Sequence, residues 1–78
     1  MSIQLKANKW KKVASWYGTN SKKIRIDVAT SEQCQWRRKT AWVTTGSGKF
    51  TDKKDVGLFN SLVDVKSPVD TTCTSSFI

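Results

Sequence analysis

The chain has 78 residues, of which 37% are hydrophobic and 26% charged, a composition typical of a globular protein rather than a disordered one. Its 14 lysines and arginines outnumber six aspartates and glutamates, giving a net charge of +8, and it contains no histidine. These numbers exclude a Ser-His-Asp or Cys-His catalytic arrangement within the chain, and two cysteines are too few for a structural zinc site. We therefore expect a protein that acts by binding, without a metal or another cofactor.

A chain of this length is expected to form one small basic domain, which we place over residues 1–70, followed by a Ser/Thr-rich C-terminal tail over residues 71–78. No apolar run approaches the roughly 18 residues of a membrane span, and the first residues lack the apolar stretch of a signal peptide. The prediction is a cytoplasmic protein, or a secreted one if the chain is a processed mature fragment.

Residues 3–17 fit a helix and a strand almost equally well. As a helix, an apolar stripe through Trp10 would end at Gly18, a common C-terminal stop. As a strand, the same segment places Trp10 and Trp16 on one face. The aromatic content favours a strand over residues 10–17.

The residue pattern in the middle of the chain predicts strands separated by turns. A turn is predicted at residues 18–21, and residues 24–29 then alternate apolar and polar side chains, which indicates a half-buried strand. Residues 35–45 are predicted to form a second, long strand with Trp36, Arg38 and Trp42 on one face. The glycines of residues 46–48 predict a tight hairpin, and residues 49–51 would begin the return strand.

Residues 52–65 again fit two structures. Asp52 could cap a helix, with Asp55 three residues later, although Gly57 would weaken that helix by about 1 kcal/mol relative to alanine. The alternative is a strand over residues 58–65. Taken together, the elements predict a mainly β fold, a small antiparallel sheet or barrel of three to five strands, with or without one short helix; an α+β fold is the alternative.

Cys34 and Cys73 are candidates for one disulfide bond, which would tie the C-terminal tail to the middle of the chain. The alternative is a pair of free thiols in a reducing compartment. No pair of carboxylates is placed for acid and base catalysis, because Lys53 and Lys54 lie between Asp52 and Asp55. The protein is therefore not expected to be an enzyme.

The basic residues and the tryptophans occupy the same part of the chain. Residues 1–54 carry a net charge of +10, whereas residues 55–78 carry −2, and all four tryptophans precede residue 43. Basic and aromatic side chains are interleaved in three clusters: Lys9, Trp10, Lys11, Lys12, Trp16 and Tyr17; Lys22, Lys23 and Arg25; Trp36, Arg37, Arg38, Lys39 and Trp42. Proteins that bind single-stranded nucleic acid combine cations for the phosphates with rings that stack on bases.

This pattern predicts a polyanion as the partner, and single-stranded DNA or RNA in particular, with these residues as the binding site. Tryptophans also fill the cores of small domains, so at least two of the four are expected to be packing residues. Two other functions fit the same charge. One is a secreted cationic toxin or antimicrobial domain that meets an anionic membrane surface. The other is a protein-binding, viral assembly or inhibitor module that binds an acidic protein or pairs with a second copy as a homodimer.

Overall fold

A computed structural model describes residues 2–18 and 22–78, and in this part of the chain all regular structure is β. There are eight strands: β1 (Ser2–Leu5), β2 (Lys11–Trp16), β3 (Lys23–Val28), β4 (Cys34–Lys39), β5 (Thr44–Phe50), β6 (Lys53–Gly57), β7 (Ser61–Lys66) and β8 (Thr71–Phe77). The mainly β fold class is confirmed. The strands are more numerous than the three to five expected, and no helix occurs within the described residues.

The strands form two antiparallel sheets of four. The first sheet has the order β1-β8-β3-β6 and the second the order β2-β7-β4-β5. Within the described strands, β4 and β5 are the only consecutive strands that pair with each other, since every other connection passes from one sheet to the other. Each sheet therefore has one face turned towards the other sheet and one turned outwards.

The core lies between the two sheets and is filled by the inward side chains of their strands. In β3, Ile24, Ile26 and Val28 are buried while the residues between them are exposed, which confirms the predicted alternation. From the second sheet, Val63 and Val65 of β7 are fully buried. Alternate burial along a strand leaves each sheet with an outer face of polar side chains.

The segment expected to be a C-terminal tail is a central strand of the first sheet, so that interpretation is wrong. β8 pairs with β1 on one side and β3 on the other. Cys73 points into the core, and its neighbours Thr72 and Thr74 are exposed. A Ser/Thr-rich sequence suits such a strand, because threonine is β-branched and one face of the sheet is solvated.

The predicted long strand over residues 35–45 is interrupted. β4 ends at Lys39, and the Thr40 amide donates to the Val43 carbonyl at 2.9 Å, closing a turn. The Thr40 hydroxyl accepts bonds from the Trp42 and Val43 amides at 3.3 and 3.2 Å. The Thr40 side chain thus takes up backbone donors that a continuing strand would use. The chain therefore reverses at a point where the alternation predicted no turn.

The predicted hairpin at residues 46–48 is also wrong, because these residues lie within β5. Gly46 pairs with Arg38, and Gly48 pairs with Trp36. A side chain at position 48 would begin 3.0 Å from the Trp36 indole nitrogen, and one at position 46 would lie 3.5 Å from the same ring. The glycines therefore leave room for the Trp36 ring to cover the neighbouring strand, rather than forming a turn.

Residues 3–17 and 52–65, which fitted both a helix and a strand, form strands separated by turns. The strand expected over residues 10–17 is β2, whereas the helix considered for residues 52–65 is replaced by β6 and β7. Asp52 adopts a left-handed backbone with φ 67°, and Asn60 does so with φ 48°, so each stands in a turn between sheets. Asp and Asn tolerate this conformation best among residues with side chains. Of the turn predicted at residues 18–21, residues 19–21 lie outside the described residues.

Candidate nucleic-acid interface

The outer face of the second sheet gathers more charge than any other face of the described structure. Strand register aligns Lys12, Asp64, Arg37 and Ser47 across all four strands, and Lys66, Gln35 and Lys49 in the adjacent row. We call this surface the cationic face. Its charged residues are Lys12, Arg37, Lys39, Lys49, Lys66 and Asp64, for a net charge of +4.

The single carboxylate of the cationic face is already neutralised. Asp64 is buried beneath its neighbours, and it accepts a hydrogen bond from Arg37 Nε at 3.0 Å while Lys39 Nζ lies 3.5 Å away. Lys12 and Lys49 are exposed and Lys66 is half-buried, and none of the three forms an ion pair within residues 2–18 and 22–78. These lysines are the cations available to an external anion.

Trp10 is the aromatic residue of the cationic face. The Arg37 guanidinium lies 4.2 Å from the centre of its ring, and the Lys66 ammonium lies 5.0 Å away. Such cation–π contacts hold the ring against the sheet. A shallow depression of about 330 Å³ lies beside it, lined in part by Gln35 and Lys49. A flat ring and a depression bordered by cations therefore lie on one surface.

Two of the predicted site residues face the interior instead. Trp36 is half-buried and packs against the core. Arg38 donates to the Thr45 hydroxyl at 3.1 Å, and to the Gly57 carbonyl at 3.0 Å, which joins β4 of one sheet to β6 of the other. The predicted row of Trp36, Arg38 and Trp42 on one strand face is therefore not assembled, because the chain turns before Trp42 and Arg38 is used to tie the sheets together.

Five further predicted residues lie at one end of the sandwich rather than on the cationic face. Trp16 packs against the core and meets Phe77 edge to face, with 6.1 Å between the ring centres. The Lys22 ammonium lies 5.1 Å from the centre of the Trp16 ring. Of the tryptophans, Trp42 alone is almost fully exposed, at 90%. The five residues at this end are Trp16, Tyr17, Lys22, Lys23 and Trp42.

Arg25 is on the opposite side of the molecule, on the outer face of the first sheet. It forms a two-pronged ion pair with Asp55 at 2.9 and 3.2 Å. The hydrogen bond from Arg25 lowers the pKa of Asp55, and the same bond raises the pKa of Arg25. Lys9 and Lys11 are exposed just before and at the start of β2, an edge strand that borders the cationic face.

Lys49 and Lys66 belong to the cationic face but were not among the predicted site residues. Lys49 precedes the buried Phe50 and Lys66 follows the buried Val65, so strand alternation would have placed both outwards once β5 and β7 were recognised. Lys66 was overlooked because it stands in the acidic part of the sequence. The acidic residue near it in sequence, Asp64, is paired with Arg37 and Lys39 of β4, and this pairing is not visible in the sequence.

The candidate disulfide is not formed in the structure. Cys34 and Cys73 are both buried free thiols, one on the inner side of each sheet. The Cys34 thiol donates to the Glu32 carbonyl at 3.6 Å. Burial raises the pKa of both thiols, that of Cys73 to about 11, so each is held in the neutral form at physiological pH.

Residues 2–18 and 22–78 contain no group of three or more metal-ligating side chains. Within the same residues, no helix is long and apolar enough to cross a membrane. No family model, curated protein or solved structure matches this chain.

Proposed function

We propose that this protein binds nucleic acid, with a preference for single strands, through the cationic face. The observation that carries the proposal is the concentration of five cations on one sheet face whose single carboxylate, Asp64, is neutralised by Arg37 and Lys39. A face of this kind attracts a chain of phosphates, because each lysine that meets a phosphate releases a condensed counterion.

A preference for single strands is supported by Trp10 and by the shape of the surface. An open sheet face has neither a helix nor a protruding ribbon to enter the major groove of a duplex. It can present a ring to unpaired bases, and base stacking is worth about 1 to 3 kcal/mol per base. Trp10 is half-buried beside Arg37 and Lys66, so a base that contacts it also brings phosphates within reach of Lys66.

The test is a fluorescence titration with single-stranded DNA, RNA and duplex DNA over a range of salt concentrations. If Lys12, Lys49 and Lys66 each meet a phosphate, log K for single strands falls with log salt at a slope of about −2. That slope corresponds to a loss of roughly twentyfold between 50 and 200 mM salt. Tighter binding of the duplex, or a slope near zero, would contradict the proposal.

A double variant locates the binding face. Lys49→Gln with Lys66→Gln should reduce the slope to about −0.7, because two of three phosphate contacts are lost. The matched control is Lys6→Gln with Lys53→Gln, which removes the same charge from exposed positions outside the cationic face. An equal loss of affinity in both variants would mean that net charge, and not this face, governs binding.

Trp10 is tested by two substitutions. Trp10→Ala should weaken single-strand binding about tenfold and abolish most of the fluorescence quenching, since the stacking ring is removed. Trp10→Phe keeps a ring over which Arg37 can lie, and it should retain most of the affinity. If Trp10→Ala remains folded and binds as the wild type does, Trp10 has no part in binding.

A further inference from the structure

The exposed apolar side chains of the molecule are gathered at one end of the sandwich. Seven large hydrophobic residues are exposed in the described structure, and all except Val69 lie at the end where β2, β4, β6 and β8 finish. The six residues that define this aromatic end are Tyr17, Trp42, Val43, Phe59, Phe77 and Ile78.

Contacts between the loops show that these residues belong to one end. The Leu58 amide donates to the Lys22 carbonyl at 2.6 Å, and the Ile78 amide donates to the Lys23 carbonyl at 3.1 Å. Register places Lys39 beside both Leu62 of β7 and Thr44 of β5, so the turn bearing Trp42 and Val43 leaves the same end. Both sheets therefore contribute apolar side chains to one protruding surface.

The two ends differ in their acidic residues. Among the described residues of the aromatic end, positions 16–18, 22–23, 38–45, 57–62 and 77–78 contain Lys22, Lys23, Arg38 and Lys39 and no aspartate or glutamate side chain. The turns at the other end carry Glu32, Asp52 and Asp70, beside Lys6 and Lys9. The molecule thus has an aromatic end bordered by cations and a distant end that carries carboxylates.

We propose that the aromatic end docks on an anionic lipid bilayer, with Trp42 and Val43 inserted at the interface and the bordering lysines among the headgroups. Tryptophan and tyrosine favour the membrane interface, and lysines add about a fivefold gain in affinity each at an anionic surface. The carboxylates at the other end would be kept away from the negative surface.

Other occupants of the aromatic end are less compatible with its composition. A second copy docked end to end would bring Lys22 and Lys23 against the same lysines. Bases could stack on the rings of Tyr17, Trp42, Phe59 and Phe77, but the aliphatic side chains of Val43 and Ile78, exposed at the same end, offer no flat ring. The apolar groups come from several separate loops and protrude, which suits a deformable apolar layer better than a fixed groove.

The test is co-sedimentation with vesicles of phosphatidylcholine alone and of phosphatidylcholine containing phosphatidylserine as the minor component. The wild-type protein should bind the anionic vesicles and not the neutral ones. Val43→Ser should weaken binding several-fold, whereas Val69→Ser should not, because both valines are exposed but only Val43 lies at the aromatic end. Lys22→Gln should weaken binding about fivefold, and Lys6→Gln, at the other end, should not.

Insertion is separated from electrostatic attraction by quenching with lipids brominated on their acyl chains. Bromine should quench wild-type fluorescence, and Trp42→Phe should lose most of that quenching while still binding. The proposal is overturned by absence of binding to anionic vesicles, by equal effects of Val43→Ser and Val69→Ser, or by quenching that persists in Trp42→Phe. It is also overturned if Trp42→Ala weakens nucleic-acid binding and leaves vesicle binding unchanged, since the end would then serve nucleic acid.

Discussion

The two outer faces of the sandwich are made of similar antiparallel strands but distribute their charge differently. The cationic face carries a net charge of +4. The outer face of the first sheet, which we call the polar face, carries Lys23, Arg25 and Lys53 against Asp27 and Asp55, for a net +1, beside threonines and serines of β8. The fold therefore does not spread the excess positive charge of the chain evenly. It concentrates that charge on the side that also holds Trp10.

Each face contains one arginine–aspartate pair, and the two pairs differ in burial. Asp64 is 8% exposed in its pair with Arg37, whereas Asp55 is 46% exposed in its pair with Arg25. Burial makes the loss of a partner costly, because an unpaired charge is then left without water. The cationic face is consequently organised around a structural ion pair, and the polar face carries one that water can replace.

The largest effect expected from a substitution on either face is on stability. Asp64→Asn should lower the free energy of unfolding by about 2 kcal/mol, since Arg37 and Lys39 lose their shared carboxylate. Denaturant unfolding gives this value. Salt-dependent titration of the same variant should show tighter nucleic-acid binding, because the face gains a unit of positive charge. An unchanged unfolding midpoint would show that Asp64 does not organise the face.

A second prediction concerns the thiols beneath the two faces. Cys34 and Cys73 should react with a disulfide reagent about a hundredfold more slowly in the native protein than in denaturant, because both are buried and neutral. Mass measurement should show two added labels after unfolding. Rapid labelling of the native protein would contradict the described packing, and failure to label after unfolding would indicate a disulfide bond.

The same thiols give stability an alkaline limit. The pKa of Cys73 is raised by burial from 9.0 to about 11, so the folded state keeps a proton that the unfolded state loses. This contribution is complete below pH 9 and is lost as the pH rises towards 11. Cys73→Ala should make the unfolding midpoint less dependent on pH in this range. If the pH dependence of the midpoint is unaltered in this variant, the loss of stability at alkaline pH comes from other groups.

The smallest expected effect is at the exposed pair of the polar face. Arg25 lowers the pKa of Asp55 below its ordinary value of 3.8, so the pair stabilises the fold above that pH, and this stabilisation is lost as the pH falls through the lower value. Asp55→Asn should leave the free energy of unfolding at neutral pH nearly unchanged, and it should make that free energy slightly less dependent on pH in the acid range. If Asp55→Asn lowers the free energy of unfolding as much as Asp64→Asn does, the ion pairs of the two faces do not differ in their contribution to stability.

The sequence pattern predicted the strands where local alternation alone decides the structure. The strand predicted over residues 24–29 corresponds to β3, because Ile24, Ile26 and Val28 all fall on its buried side. The hairpin at residues 46–48 could not be distinguished from a strand without knowing that Trp36 lies across those glycines. The tail was misassigned for a related reason, since pairing with β1 and β3 involves residues far away in sequence.

The candidate site was predicted in part. Trp10, Lys12, Arg37 and Lys39 meet on the cationic face, although they come from separate clusters of the sequence. Trp36 and Arg38 were assigned to the same site because they neighbour these residues in the chain, but alternation turns them inwards. The pairing of Asp64 with Arg37, 27 positions apart, decides which charges remain available, and no local pattern contains it.

The most direct test of the nucleic-acid account moves charge from one face to the other at constant net charge. Lys49→Thr and Lys66→Thr remove two lysines from the cationic face, while Thr72→Lys and Thr74→Lys add two at exposed positions of the polar face. Single-strand affinity should fall at least about tenfold at moderate salt, although the net charge is still +8. Wild-type affinity in a folded quadruple variant would contradict the assignment of nucleic-acid binding to the cationic face.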